Sequence, residues 1–146
     1  MWRIGIAAGA LVAAVAAWVV AVEWSRREQL ALGSAIYAQH CASCHGKELE
    51  GQADWQTPGA NGRLPAPPHD ASGHSWHHAD GDLFLITKKG LAAIVPGYES
   101  DMPAFEGVLT DAQIEAVLAF IKSTWPERER GYQAARSRTQ PNPAAP

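Results

Sequence analysis

The sequence predicts an all-α domain of roughly 100 residues, preceded by one apolar amino-terminal helix. Three observations predict it. Apolar residues recur at three- and four-residue spacing in separate stretches around Leu32, Leu83 and Ile114, and no stretch alternates apolar and polar residues as a half-buried strand would. Ile4 to Val22 runs for nineteen residues without a charge. The only two cysteines stand in Cys41-Ala42-Ser43-Cys44-His45, a compact cluster of reactive groups directly after the first helical stretch.

The amino-terminal run is mostly Ala and Val. As a helix it spans about 28 Å, close to the hydrocarbon thickness of a bilayer. Arg3 precedes it, and Trp2, Trp18 and Trp24 stand at or near its ends, where aromatic rings suit headgroup depth. Ala14-Val15-Ala16 has the small-residue pattern of a signal-peptide cleavage site, but the apolar run continues past it to Val22. Residues 1–24 are therefore expected to be a single transmembrane anchor, with a cleaved signal peptide as the alternative. Either reading exports the remainder.

Ser25 to Gln39 reads as a helix continuing from the anchor, with Leu32, Ala35 and Ile36 close together at helical spacing. Gly33 inside it costs about 1 kcal/mol relative to Ala; it is either a tolerated surface glycine or the site of a close helix crossing that needs a missing side chain. Gly46 to Trp76 is rich in Gly and Pro and reads as a long loop. So long a loop makes sense when it packs on a rigid cofactor. Asp80 to Lys89 reads as a helix stopped by Gly90. Pro96-Gly97 and Met102-Pro103 break the next segment. Thr110-Asp111-Ala112-Gln113 is a capping-box pattern opening a helix that ends near Trp125-Pro126. Residues 25–126 form the expected domain, and the charged, then Pro- and Ala-rich residues 127–146 a disordered tail.

Charge excludes one class of partner. Between Leu30 and Trp125 five Lys/Arg stand against eleven Asp/Glu, so no basic stripe is present to meet phosphates, and nucleic-acid binding is not expected. A partner with a basic or mainly apolar face fits better.

The cysteine cluster carries the chemistry. Two cysteines separated by two residues and followed by histidine are the attachment signal for a c-type haem. The thiols of Cys41 and Cys44 fix one edge of the ring, and His45 then lies where it can give the iron an axial nitrogen. A thioredoxin-like motif wants a βαβ context that is missing, a disulfide this short is strained, and a zinc site needs two further ligands at suitable spacing.

Met102 is the only methionine besides the start residue, and it stands before Pro103 in an irregular segment. A thioether as sixth ligand raises the reduction potential and suits electron transfer. His69, His74, His77 and His78 are the competing ligands, and core filling is the competing role for Met102.

Taken together, Gly33 and Tyr37, the Cys41–His45 motif, Pro67 in Leu-Pro-Ala-Pro-Pro, Met102-Pro-Ala-Phe, and Ile114 to Ile121 resemble class I c-type cytochromes. The closer likeness is to the small membrane-anchored, single-haem cytochromes c of Gram-negative bacteria. It covers about Leu30 to Trp125. The resemblance implies an all-α fold of three to four helices around one covalently bound haem c, preceded here by the transmembrane helix. It implies that the first and last helices cross near Gly33 and Phe120 with Tyr37 in the contact. It also implies that a proline carbonyl accepts the Nδ1–H of His45, with Pro67 chosen for that role and Pro58, Pro65 and Pro68 as rivals. The expected function is one-electron transfer, without an enzymatic reaction or small-molecule substrate, between membrane or periplasmic redox proteins. The expected site is the periplasmic face of a bacterial inner membrane. A haem subunit of a larger oxidase or dehydrogenase, and a sensor or peroxidase with a labile sixth ligand, are the alternatives. The family's lysine ring for docking is absent.

His69 to His78 departs from the family pattern. The expectation is a haem-covering loop with polar histidines on its surface. A copper or zinc site and a partner contact anchored by Trp76 are the other readings.

Overall fold

The computed structural model describes residues 2–140, with side chains from residue 11 onward. Helix α1, Trp2–His40, is one continuous rod of 39 residues. Its residues 11–22 are exposed throughout, Val12, Trp18 and Val20 among them. The expected span of Ile4–Val22 falls partly outside the described side chains. Among the described residues no helix is long and apolar enough to cross a membrane.

From Gly33 onward α1 enters the domain, where it packs against α4, Asp111–Thr124. Ile36 and Tyr37 of α1 meet Ile114, Val117 and Ile121 of α4 in the core, which Phe105, Leu109 and Trp125 complete. The crossing is tight because Gly33 faces Ala116 and Phe120 without a side chain of its own. Tyr37 and Phe120 rings lie 5.6 Å apart beside it. Helix α4 begins as its sequence dictates: the Thr110 hydroxyl accepts from the Gln113 backbone, and the Gln113 side chain accepts from the Thr110 N–H.

The short helix α2, Ala42–His45, carries the motif one turn beyond α1. Residues 46–74 hold no helix, yet they are tied to the chain around them as well as lining a cavity. His69 N–H donates to the Leu49 carbonyl at 2.8 Å, Gln52 N–H to Ala66 at 2.9 Å and Gly51 N–H to His45 at 2.8 Å. Leu49 holds a left-handed φ of 68°, costly for a leucine. Burial of its side chain and two N–H groups on its carbonyl compensate.

Helix α3, Asp80–Lys89, follows a single 3₁₀ turn at Ser75–His77 and stops at Gly90, as its sequence predicts. A second 3₁₀ turn spans Leu91–Ala93.

The tail differs from expectation. Glu127–Thr139 is helix α5, packed on the 3₁₀ turn and on α3. Its buried face is polar, and for that reason composition hid it. Gln133 is 1% exposed and donates to Asp80 Oδ1 at 2.9 Å and to Ser137 Oγ at 3.0 Å. Tyr132 closes edge-on against Trp76, centroids 5.5 Å apart. The remainder of the expected disordered tail, 141–146, lies outside the described residues.

Candidate functional site

Cys41 continues the hydrogen bonding of α1, its N–H reaching the Tyr37 carbonyl at 2.9 Å, and His45 N–H returns to the Cys41 carbonyl at 2.9 Å. The turn is clamped at its far end by the Tyr37 hydroxyl, which donates to the carbonyls of Gly46 at 2.8 Å and His45 at 3.3 Å. Burial, and after it the nearby Cys41, Glu50 and Asp70, raise the Tyr37 pKa, so the phenol keeps its proton and remains a donor.

His45 is 7% exposed. Its Nδ1 lies 2.8 Å from the carbonyl oxygen of Pro67. A carbonyl only accepts, so Nδ1 is the protonated nitrogen and Nε2 keeps its lone pair. Burial lowers the His45 pKa, and the Pro67 bond opposes that only in part. The imidazole is therefore neutral, the form that can coordinate a metal. Of the four prolines considered, Pro65 lines the same cavity, whereas Pro58 and Pro68 do not.

No disulfide joins Cys41 and Cys44, which leaves both sulfurs available for attachment.

Cys41, Cys44, His45, Pro67 and Met102 all line one cavity of about 330 Å³. Helix α3 gives it Leu83 and Ile86, and α4 gives it Val117, Leu118 and Ile121. Paired thiols on one edge, a neutral histidine with a free Nε2 and aliphatic walls fit a covalently attached haem.

The Met102 segment is pinned from both sides. Phe105 and Glu106 N–H groups cap the end of α3 through the carbonyls of Thr87 at 3.1 Å and Lys88 at 2.8 Å. On the other side the Arg63 guanidinium reaches Asp101 at 2.5 Å and Glu99 at 3.3 Å, and Asn61 donates to Asp101 at 3.2 Å. Met102 N–H donates to Ser100 Oγ at 3.1 Å.

The histidine-rich loop is not simply surface. His69, His74 and His78 line the cavity, whereas His77 stacks on Trp76 with centroids 3.6 Å apart. His74 lies flat against Trp55 at 5.2 Å. Burial lowers the pKa of His74 and of His78. Among the described residues no three His, Cys, Asp or Glu side chains gather to hold a metal ion.

His69 is the residue that sequence reasoning placed wrongly. Its ring stacks on that of His45, centroids 3.9 Å apart and planes 23° from parallel. Its Nδ1 meets Ser75 Oγ at 2.8 Å, and its carbonyl accepts from Trp125 Nε1 at 2.7 Å. Burial, then His45 and His74, hold its pKa down to about 3. The one available signal was its place two residues after Pro67: whatever brings the Pro67 carbonyl to His45 brings His69 with it. Arg63 gave no sequence signal at all.

A family model described as Cytochrome c matches residues 30–125, more than half of the chain. No curated protein and no solved structure was found to match the chain.

Proposed function

The chain belongs to the cytochrome c family, and we propose that it is a membrane-tethered, class I one-electron carrier with His45 and Met102 as axial ligands. Family membership makes it an electron-transfer haem protein with covalently attached haem c. That group supplies the redox chemistry, an iron cycling between two oxidation states. The chain's own residues supply the rest of the function. Cys41 and Cys44 hold the ring, His45 offers Nε2, and the Pro67 carbonyl fixes the His45 tautomer and raises its basicity. The aliphatic faces of α3 and α4 exclude water. The observation that carries the ligation reading is the single cavity shared by Cys41, Cys44, His45 and Met102.

The tether reading rests on the exposed apolar stretch of α1 after residue 10 together with the uncharged run upstream. It puts the haem domain on the periplasmic side of a bacterial inner membrane, serving redox proteins there rather than a small-molecule substrate. One feature favours the second reading, a haem subunit of a larger complex. No loop separates the apolar stretch from the domain, because α1 runs through both. A stiff mount suits a fixed neighbour better than a wide search.

Four measurements test this. Redox titration with visible spectra of the wild type and Met102→Ala tests ligation: the far-red band of Met–iron bonding should be present in the first and lost in the second. Prompt CO binding by ferrous wild type would overturn it. Membrane fractionation of the full chain, with and without residues 1–22, tests the tether, and co-purification in mild detergent separates subunit from free carrier.

A further inference from the structure

We propose that His69 is a positioning residue for the haem ligand, fixing the plane of the His45 imidazole through ring-on-ring contact. The inference rests on the reading of His45 as an iron ligand.

A hydrogen bond from Nδ1 to Pro67 fixes one point of the His45 ring and its tautomer, but leaves the ring free to rock about the line between the two atoms. A flat neighbour in van der Waals contact removes that freedom. His69 provides one, at 3.9 Å and 23°. The neighbour must itself be immobile, and His69 is held at four points. Its N–H donates to Leu49 at 2.8 Å, and its carbonyl accepts from Trp125 at 2.7 Å. Its Nδ1 bonds Ser75 Oγ at 2.8 Å, and Ser75 is buried. Tyr37 stands edge-on to the ring at 6.3 Å. Tyr37 also clamps the His45 carbonyl, so both rings are referred to one fixed group.

The consequence is electronic as well as geometric. While the ring stays aligned with the Pro67 carbonyl, Nδ1–H remains a full hydrogen bond and His45 a more basic donor, which favours the oxidised iron. Loosening the ring weakens that bond and raises the reduction potential.

The test uses haem-loaded full-length protein and three variants: His69→Ala, His69→Leu and His69→Phe. The readouts are the paramagnetically shifted haem-methyl NMR signals of the ferric protein, which follow the axial ring plane, and the reduction potential. Ala and Leu should spread or reorder the methyl signals and raise the potential. Phe, which keeps a flat ring without a hydrogen-bonding nitrogen, should restore the wild-type order. Unchanged signals and potential in Ala or Leu overturn the proposal, as does a Phe variant displaced as far as Ala. If His69→Ala does not load haem, Leu and Phe decide the matter by the same readouts. A wild type whose ferric spectra lack histidine coordination overturns the ligation reading itself and the proposal with it.

Discussion

Gly33 lies so close to Ala116 that a methyl group on it would sit 2.0 Å from the Ala116 carbonyl oxygen. Backbone on one side and helix on the other leave no soft side chain to give way. Gly33→Ala should therefore push α1 from α4 and cost about 1–3 kcal/mol, the range for overpacking. Thermal unfolding followed by far-UV circular dichroism reads it, and an unchanged midpoint would show that the crossing has slack. Tyr37 lies one turn on, so the haem motif should loosen in the same variant.

Met102→Ala should leave haem attachment intact, since the thiols and His45 are untouched. It should lower the reduction potential by removing the thioether, and it should open the iron to CO. Unaltered ligand binding would mean that a cavity histidine, His74 or His78, holds the sixth position instead.

The Arg63–Asp101 pair joins the loop before Pro67 to the loop carrying Met102. Asp101 is exposed and Arg63 half-buried, its Nε buried without a partner, so the pair itself adds little to global stability, which should change only modestly in Arg63→Gln. Local opening should be easier: binding of added imidazole to the ferric protein should strengthen by a few-fold at low salt. The difference between variant and wild type should shrink at high salt, as screening weakens the pair in the wild type. Equal affinities at all salt concentrations would mean the latch does not restrain Met102.

Asp80 links α3, α4 and α5 through Lys122 and Gln133. Burial alone would raise its pKa, but the Lys122 ammonium and the Gln133 and Ser137 bonds outweigh that and the net shift is downward. A depressed folded pKa contributes stability above the unfolded value, lost as pH falls through the folded one. The wild-type midpoint should thus fall on acidification below about pH 4. Asp80→Asn should start lower at neutral pH, by less than about 1 kcal/mol because the pair is half exposed, and lose less in acid. Parallel pH curves would count against the linkage.

Gln133→Ala removes a buried amide that serves His78, Asp80 and Ser137. The expected loss is about 1–3 kcal/mol. Limited trypsin digestion gives the local view: Arg128 and Arg130 should resist cleavage in the wild type and yield in the variant. Immediate cutting of the wild type there would restore the disordered tail.

What could be read from the chain alone follows the range of each signal. The Thr110–Gln113 cap and the Asp80–Gly90 helix are written within a few residues, and both are found where the sequence puts them. The Cys41–His45 motif is equally local. Helix α5 escaped because its buried residues are Gln133 and Glu129, a pattern that composition scores as solvent-facing. The His45–His69 stack escaped for another reason. Two rings twenty-four residues apart meet only because Pro67, Leu49 and Trp125 fold the intervening loop back, and no periodicity encodes that.

The unbroken course of α1 from Trp2 to His40 also gears the amino-terminal apolar stretch to the haem domain. Each residue inserted into it turns everything upstream by about 100° relative to the haem cavity and displaces it by about 1.5 Å. The compass bearing of the cavity mouth is thus set by a residue count. A single insertion near Arg27 swings it to another quarter, while a heptad nearly returns it to its starting bearing at a greater height.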